Sequence, residues 1–545
     1  MPSLVLGPLL RHVGAHDATI WVETDAPCTV EVLGHAADTF HVGGHHYALV
    51  VVEGLDGPTT YEVALDGRRV WPCDDGWPDS RIRPIRPDAP IDVVFGSCRV
   101  AYPHEPPYTL PKDEDDRGRE VDALRALALK LRDQPPESWP GALVMLGDQI
   151  YADEVEPQTE TFIKERRDTT VPPHTELAGF HEYTHAYKVS WGDPPIRWLL
   201  STVPSSMVFD DHDVIDDWNT SHSWLEAIRA NGWWDERIVG AFTSYWLYQH
   251  LGNLGPEALA ADELFAAVRE ADDAEPLLRD FAWRADRTVN STQWSFCRDL
   301  GSARLIMVDS RAGRILDPDR RTMVDDDEWA FIERHATEEH HEHLLIGTSL
   351  PWLMAPGMHH LEAFNEAVAE GAWGRWAAKA SERVRRAIDL EHWGAFGDSW
   401  TAMRDLIERV AAGEDGHAPT TIVVLSGDVH HAYLAEVAHQ RGKRMQSRVY
   451  QAVCSPFRNP LDARERRVIK SMVSRPAAAV TRRLARAAGV PDPGIRWRLR
   501  QEPIFDNVVA TLHLDGPRAA LRIERARPQD DGHAVSLETA YEGTL

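Results

Sequence analysis

Five short apolar runs each end on side chains able to bind a cation or move a proton. The run at 91–97 leads into Cys98 and Arg99, and that at 142–147 into Asp148, with Tyr151 and Asp153 just beyond. The run at 205–209 is followed by Asp210, Asp211, His212 and Asp213. That at 303–308 is followed by Asp309 and Arg311, and that at 421–427 by Asp428 and His430. A single Asp there would be ordinary, because Asp also caps the helix that follows. Cys, Asp, Tyr and His at five such ends together point to a metal site. Carboxylates suit Ca, Mg or Mn. Thiolate, phenolate and imidazole suit a transition ion, iron among them. The mixture predicts a multinuclear centre of unlike metals, with Asp148 as the bridge through its two oxygens. Adjacent cations sharing a water lower its pKa, so that hydroxide can attack phosphorus in line near neutral pH.

Such residues need a frame that holds them at its mouth. In open α/β folds ligands bind beyond the carboxyl ends of the strands. The sequence supplies the strands: IDVVFGS (91–97), ALVMLGD (142–148), SSMVFDD (205–211), ARLIMVDS (303–310), HLLIGTS (343–349) and TIVVLSGD (421–428). Helical segments such as VDALRALALKLR (121–132) and ERIVGAFTSYWLYQHL (236–251) lie between them, so the sheet is buried on both faces. RVYQAVCS (448–455) extends the series. A hairpin at 507–526, turning at Asp515-Gly516-Pro517, closes this sheet or stacks on a second one. Residues 1–88 alternate instead as short strands, and predict a small β-sandwich with Trp21, Val30, Val32, Val50 and Val52 in its core. The three prolines of 79–90 read as a linker into the catalytic region 89–545.

The chain has 545 residues, 43% hydrophobic and 26% charged, which is globular composition. A net charge of -28 argues against an overall basic nucleic-acid binder. Five scattered cysteines without a CxxC exclude a zinc ribbon and a disulfide scaffold. No run reaches the length of a membrane span. The first residues show neither a secretory nor a twin-arginine signal, so the expected location is the cytoplasm. Residues 464–500 carry eleven Arg or Lys against Glu465 and Asp492. They read as two amphipathic pieces broken at Pro476: a basic helical insertion on the surface, a cationic lid over a phosphate site, or a contact for anionic lipid. Trp218, Trp224, Trp233, Trp234 and Trp246 read as packing, with stacking on an aryl or nucleoside leaving group as the alternative. The segments 113–120 and 338–343 read as solvated faces.

The motifs FGSCR (95–99), LGDQIYADE (146–154), FDDHDVIDDWN (209–219), VDSR (308–311) and LSGDVHH (425–431) resemble those of the PhoD-like alkaline phosphatase/phosphodiesterase family, within the calcineurin-like metallophosphoesterases. The resemblance covers about 91 to 455. It implies a four-layer α/β/β/α sandwich preceded by a small Ig/fibronectin-like β-sandwich. It also implies a phosphoric ester hydrolase acting on mono- or diesters, with Fe3+ and Ca2+ in the site. In a cytoplasmic protein Mn2+ or Mg2+ could fill the harder site. Carried over residue by residue, Cys98 and Tyr151 would hold iron and Asp148 would bridge. Asp211 would bind the harder cation, and Asp428 and His430 would complete the ligands. His212 would protonate the leaving oxygen or donate to the phosphoryl group.

Each residue also has a plainer reading. Cys98 could be a small buried hydrophobe and Tyr151 a core phenol. Asp210 and Asp213 could cap or orient His212. Asp309 and Arg311 could pair with each other, or Arg311 or Arg99 could grip a phosphate oxygen. His431 would face away from His430, and Asn219 would serve a turn. At the level of the whole protein, the alternatives are a zinc-type hydrolase of another ester or amide, and a module that binds metal or phosphate without turnover. Against the first stands the lack of HExxH; against the second, the presence of Asp148, His212, Asp428 and His430 together.

Overall fold

A computed structural model of the chain describes all residues except 74–75, 88, 339–340, 439–444 and 530–534. The N-terminal region folds as two four-stranded sheets. One is built from Leu4–Val13, Asp17–Thr24, His45–Glu53 and Phe40–Val42 in that order; the other from His35–Asp38, Thr29–Val32, Val63–Leu65 and Arg68–Trp71. Val30, Val32, Val50 and Val52 fill the core between them. Trp21 does not. Side chains alternate along a strand, so Ile20 and Val22 point into the sandwich while Trp21 points out. There it meets Tyr47 and Tyr248, with ring centroids 5.8 Å and 5.1 Å away.

The region 79–90 is tied down and is not a free linker. Arg81–Ile82 pairs with Thr59–Thr60, and Ile82 is buried in the sandwich core. Arg11, fully buried, donates to the carbonyls of Tyr248 and Gln249, which fixes the sandwich to the rest of the chain.

Two large sheets follow. The first has six strands: Ser205–Met207, Ala142–Met145, Ile91–Gly96, Val508–Asp515, Arg518–Pro528 and Val535–Thr544. The late hairpin thus widens the first sheet, lying antiparallel to Ile91–Gly96. The second has seven strands: Phe296–Leu300, Ala303–Val308, His343–Thr348, Thr421–Ser426, Arg448–Val453, Tyr433–Val437 and Trp497–Leu499. Strand alternation assigns their residues to three cores. Val93, Phe95, Val144, Leu305, Leu345 and Val423 pack between the sheets. Val94, Leu143 and Met145 pack under the helix Ala123–Arg132. Ile306, Val308, Ile346 and Val424 pack with residues of Asp326–Thr337 and Gly397–Ala412. The result is the α/β/β/α order of layers.

Other expectations are refined. The basic segment forms helices Ala463–Met472 and Arg475–Ala487, with Pro476 in the first turn of the second, but ends as an edge strand of the second sheet. Of the His-rich patch, residues 339–340 lie outside the described residues. His343 is buried and bonds Thr421 Oγ1 and the Gly516 carbonyl, both at 2.7 Å, so it is no solvated face. Within 113–120, Arg119 is buried and pairs with Glu154. Of the five tryptophans, all but Trp233 are buried.

Candidate metal centre

The carboxyl ends of Ile91–Gly96, Ala142–Met145 and Ser205–Met207 meet those of Ala303–Val308 and Thr421–Ser426 across the gap between the two sheets. Two glycines allow the approach. A Cβ on Gly427 would lie 2.1 Å from Ser97 Oγ, and one on Gly147 (φ +115) would lie 2.5 Å from Asp210 Cβ. The chain leaves three of these strands through left-handed residues: Cys98 (φ 57), Asp148 (φ 53) and, after Thr421–Ser426, Asp428 (φ 66) and His430 (φ 49). This region is disfavoured for residues with a Cβ, by about 1–2 kcal/mol each, and persists where the surroundings dictate it. Here they do. Cys98 N and Arg99 N donate to the carbonyls of Gly147 and Asp148, each at 3.3 Å. Asp428 N donates to Ser97 Oγ at 3.0 Å, and His430 N to Ser455 Oγ at 3.2 Å.

Three donor groups result among the described residues: one at the rim, of Asp211, His212 and Asp216, and two that share Asp148. Cys98, Asp148 and His430 bring one ligand atom each within 4.8 Å of one another; so do Asp148, Asp210 and Asp211. Asp148 belongs to both, the position a bridge must occupy. Tyr151 OH donates to Asp148 Oδ2 at 3.3 Å and packs beside Cys98. Asp148 Oδ1, Asp210 Oδ2 and Asp211 Oδ1 are buried and accept no hydrogen bond, although Arg311 Nη2 lies 3.2 Å from Asp211 Oδ1. A buried carboxylate without a donor is costly. Burial, then the Asp210 carboxylate, pushes Asp148 well above the usual carboxylate range. Burial raises Asp211 to about 6 although Arg311 opposes it. Burial and Asp148 raise the Cys98 thiol, and burial and Cys98 raise the Tyr151 phenol. A bound cation inverts this logic by favouring every ionised form. The donor set therefore fits cations: thiolate, phenolate and imidazole on one side of Asp148, carboxylates on the other.

His212 lies at the rim, with its side chain 19% exposed. Its Nδ1 is 2.9 Å from Asp153 Oδ1, and its ring stacks on Tyr151 at 4.4 Å. Burial lowers its pKa, but the Asp153 carboxylate outweighs this and holds it well above the ordinary value. His430 differs: burial, helped by His212, lowers it to about 3, which leaves a neutral imidazole able to ligate. Asp213 supports from below, accepting the backbone N–H of Asp148 and Asp210 at 3.1 and 3.0 Å.

Several candidates are placed differently from the sequence reading. Arg99 is buried and engaged, its Nε donating to Asp122 Oδ2 and its Nη1 to the Ser190 carbonyl, both at 2.8 Å. It cannot reach a phosphate in this arrangement, because Asp122 caps the next helix and anchors it there. Arg311, fully buried, contacts Asp210, Asp211, Glu391 and Asp428. It holds carboxylates and offers no free edge to substrate. It does not pair with Asp309, which instead accepts the backbone N–H of Arg311, Ala312 and Gly313. Asp428 lies outside all three donor groups, its oxygens facing Arg311 at 3.3 Å and His392 Nε2 at 3.1 Å. Asp210, read as support, contributes an unpartnered oxygen to the carboxylate group. His431 Nδ1 bonds the Val429 carbonyl, and Asn219, at φ 61, donates to the Arg311 carbonyl.

Missed entirely were Glu391, His392 and Glu362. His392 links Glu362 Oε1, at 2.6 Å, to Asp428. These residues sit in a helix and in the turn Trp393–Ala395 region, not at strand ends, so no apolar run marked them.

Known proteins resemble this chain at the level of family and fold. A family model described as PhoD-like phosphatase matches residues 131–482, and one described as a domain of unknown function (DUF7800) matches residues 1–82. No curated protein matches the chain. A solved structure entitled "Structure of PhoD" superposes with a TM-score of 0.59 at 12% identity, covering 99% of this chain and 89% of that one. A purple acid phosphatase, PPD1, from yellow lupin (Lupinus luteus) seeds gives a TM-score of 0.47 at 10% identity, covering 95% and 71%.

Proposed function

The chain belongs to the PhoD-like phosphatase family, and from that membership we propose that it is a metal-dependent hydrolase of phosphoric mono- or diesters. The observation that carries this reading is the set of three buried carboxylate oxygens without donors, on Asp148, Asp210 and Asp211, beside a thiol, a phenol and an imidazole. Cys98, Tyr151, His430 and Asp148 would hold the softer ion, iron by donor type; Asp148, Asp210 and Asp211 would hold a harder one, Ca2+, Mn2+ or Mg2+. Such cations, when bound, supply Lewis acidity and ionise water near neutral pH.

The chain's own residues do the rest. Arg311 fixes Asp210 and Asp211, and Asp213 fixes the backbone of Asp148, so the carboxylates are oriented before substrate arrives. His212, positioned by Asp153, presents Nε2 at the rim, where it can hand a proton to the leaving oxygen. The Cys98 thiolate this scheme requires fits a reducing compartment such as the cytoplasm.

The test pairs elemental analysis with hydrolysis of a nitrophenyl phosphodiester. Native protein should carry about one iron and a second hard cation per chain. Asp148→Asn should lose metal and more than about 10³-fold in kcat while remaining folded. Zinc alone would support the other hydrolase reading. An Asp148→Asn protein with undiminished turnover would end the proposal.

A further inference from the structure

Seven of the twelve large apolar side chains exposed among the described residues lie on two neighbouring stretches: Trp373, Trp376, Val384 and Ile388 on one, Val468, Val480 and Leu484 on the other. Trp376 is 89% exposed. The helices Arg375–Arg385 and Arg475–Ala487 both pack on the helix Pro356–Ala369. The first uses Ser381, whose Oγ bonds Asn365. The second uses Thr481 and Ala485, and approaches closely enough that a Cβ on Gly357 would lie 3.4 Å from Ala478 N. Trp373 ties the start of one outer helix to the end of the other: its Nε1 donates to the Ala487 carbonyl at 3.3 Å.

Each outer helix therefore has three sectors. One is buried on Pro356–Ala369. A second is an exposed apolar stripe: Trp376, Ala380 and Val384 on one helix, and Val480 and Leu484 on the other, next to the half-buried Ala477, at spacings of three and four residues. The third is cationic. Arg375, Lys379 and Arg383 flank the first stripe, and Arg482 and Arg483 the second. Among the described residues none of these five enters an ion pair, in a chain of net charge -28 that pairs most of its other arginines.

We propose that this face docks the protein, lying flat, on an anionic lipid bilayer. Exposed tryptophan and aliphatic stripes bordered by Arg and Lys are the pattern of helices that settle into the headgroup layer. The charge distribution sets the orientation. The acidic body is repelled by an anionic surface, and the unpaired cations of this face are attracted to it. A second copy fits poorly, because a twofold interface would set the same Arg and Lys residues against one another. No described helix is long and apolar enough to cross a membrane, so the contact is peripheral. The inference does not depend on the reaction proposed above, although Glu362, on the supporting helix, bonds His392 beside the candidate centre.

The experiment is vesicle flotation of the full chain, at low and high salt. One set of vesicles is phosphatidylcholine alone; the other is an equimolar mixture of phosphatidylcholine and phosphatidylserine. Binding is expected only to the mixed vesicles, and salt should weaken it. Arg482→Glu with Arg483→Glu should lower the partition coefficient at least about tenfold. Trp376→Ser with Leu484→Ser should lower it similarly through lost apolar insertion. All four positions are exposed, so circular dichroism and the unfolding midpoint should match wild type. Equal binding to both vesicle types, no binding to either, or undiminished binding by both variants would overturn the proposal. So would a dimer that the Trp376→Ser variant dissociates, which would assign the face to a second copy.

Discussion

Replacing Asp211 by Asn should move stability in opposite directions with and without cation. Burial raises the Asp211 pKa from 3.8 to about 6 in the folded protein. Between about pH 4 and pH 6 the folded state thus retains a proton that the unfolded chain has lost. Stability falls as pH rises through that window, and the whole penalty is present above about pH 6. Two units correspond to on the order of 3 kcal/mol. Asn removes the charge and keeps the shape. Its carbonyl can still accept from Asp217 N, 3.1 Å away in the wild type, which turns the amide NH2 toward the oxygens of Asp148 and Asp210. Part of the gain is lost where that NH2 faces Arg311 Nη2. Metal-free Asp211→Asn should therefore be more stable than metal-free wild type at pH 8, by up to about 3 kcal/mol, and no more stable at pH 4. With cation the order reverses. A ligand at a thousandfold its Kd adds about 4 kcal/mol to the folded state, and the variant forfeits most of that. Urea unfolding followed by tryptophan fluorescence, in chelator and in Mn2+ or Ca2+, reads both signs. A metal-free variant less stable than wild type at pH 8, or one that gains as much from cation, would refute the reasoning.

Arg311→Lys keeps the charge but loses the planar fork that spans four carboxylates, so it should cost about 3–5 kcal/mol of stability and lower kcat; a rise in KM with kcat and stability unchanged would restore Arg311 as a phosphate ligand. Asp153→Asn should release His212 and lower kcat about 10²-fold for alkyl phosphodiesters, and far less for nitrophenyl esters, whose leaving groups need no proton. Equal losses on both ester types would remove His212 as the donor. Gly427→Ala would force Ser97 aside and should destabilise by about 1–3 kcal/mol, visible as a lower unfolding midpoint; an unchanged midpoint would show that the two sheets can part there at no cost.

The legible part of this chain was what repeats at short range. Apolar runs such as LVML and IVVL, interrupted by helical spacing, carry the α/β layers, and the residues that follow them carry Cys98, Asp148, Asp211 and His430. Trp21 was misplaced because apolar residues on both faces of its strand hide which face meets which core. The period of two then resolves it only once Ile20 and Val22 are known to point inward. Glu391, His392 and Glu362 were invisible for a different reason. They reach the centre through tertiary packing of a helix and a turn, and nothing local distinguishes a histidine aimed at Asp428 from one aimed at solvent.

The same distinction explains the roles of the two arginines. From sequence, Arg99 and Arg311 each follow a strand end and look equivalent, both candidates to grip phosphate. In the fold Arg99 is consumed by a capping aspartate and a carbonyl. Arg311 is consumed by four carboxylates. Arg314 and His392 share Glu391 and Asp428 with it, which leaves Asp148, Asp210 and Asp211 facing the single Arg311 guanidinium, three acidic groups against one fixed cation. That imbalance is a reason to expect cations rather than further arginines as the groups that meet the phosphate: a pocket of clustered acids that must receive an anionic ester needs more positive charge than His212, at the rim, supplies.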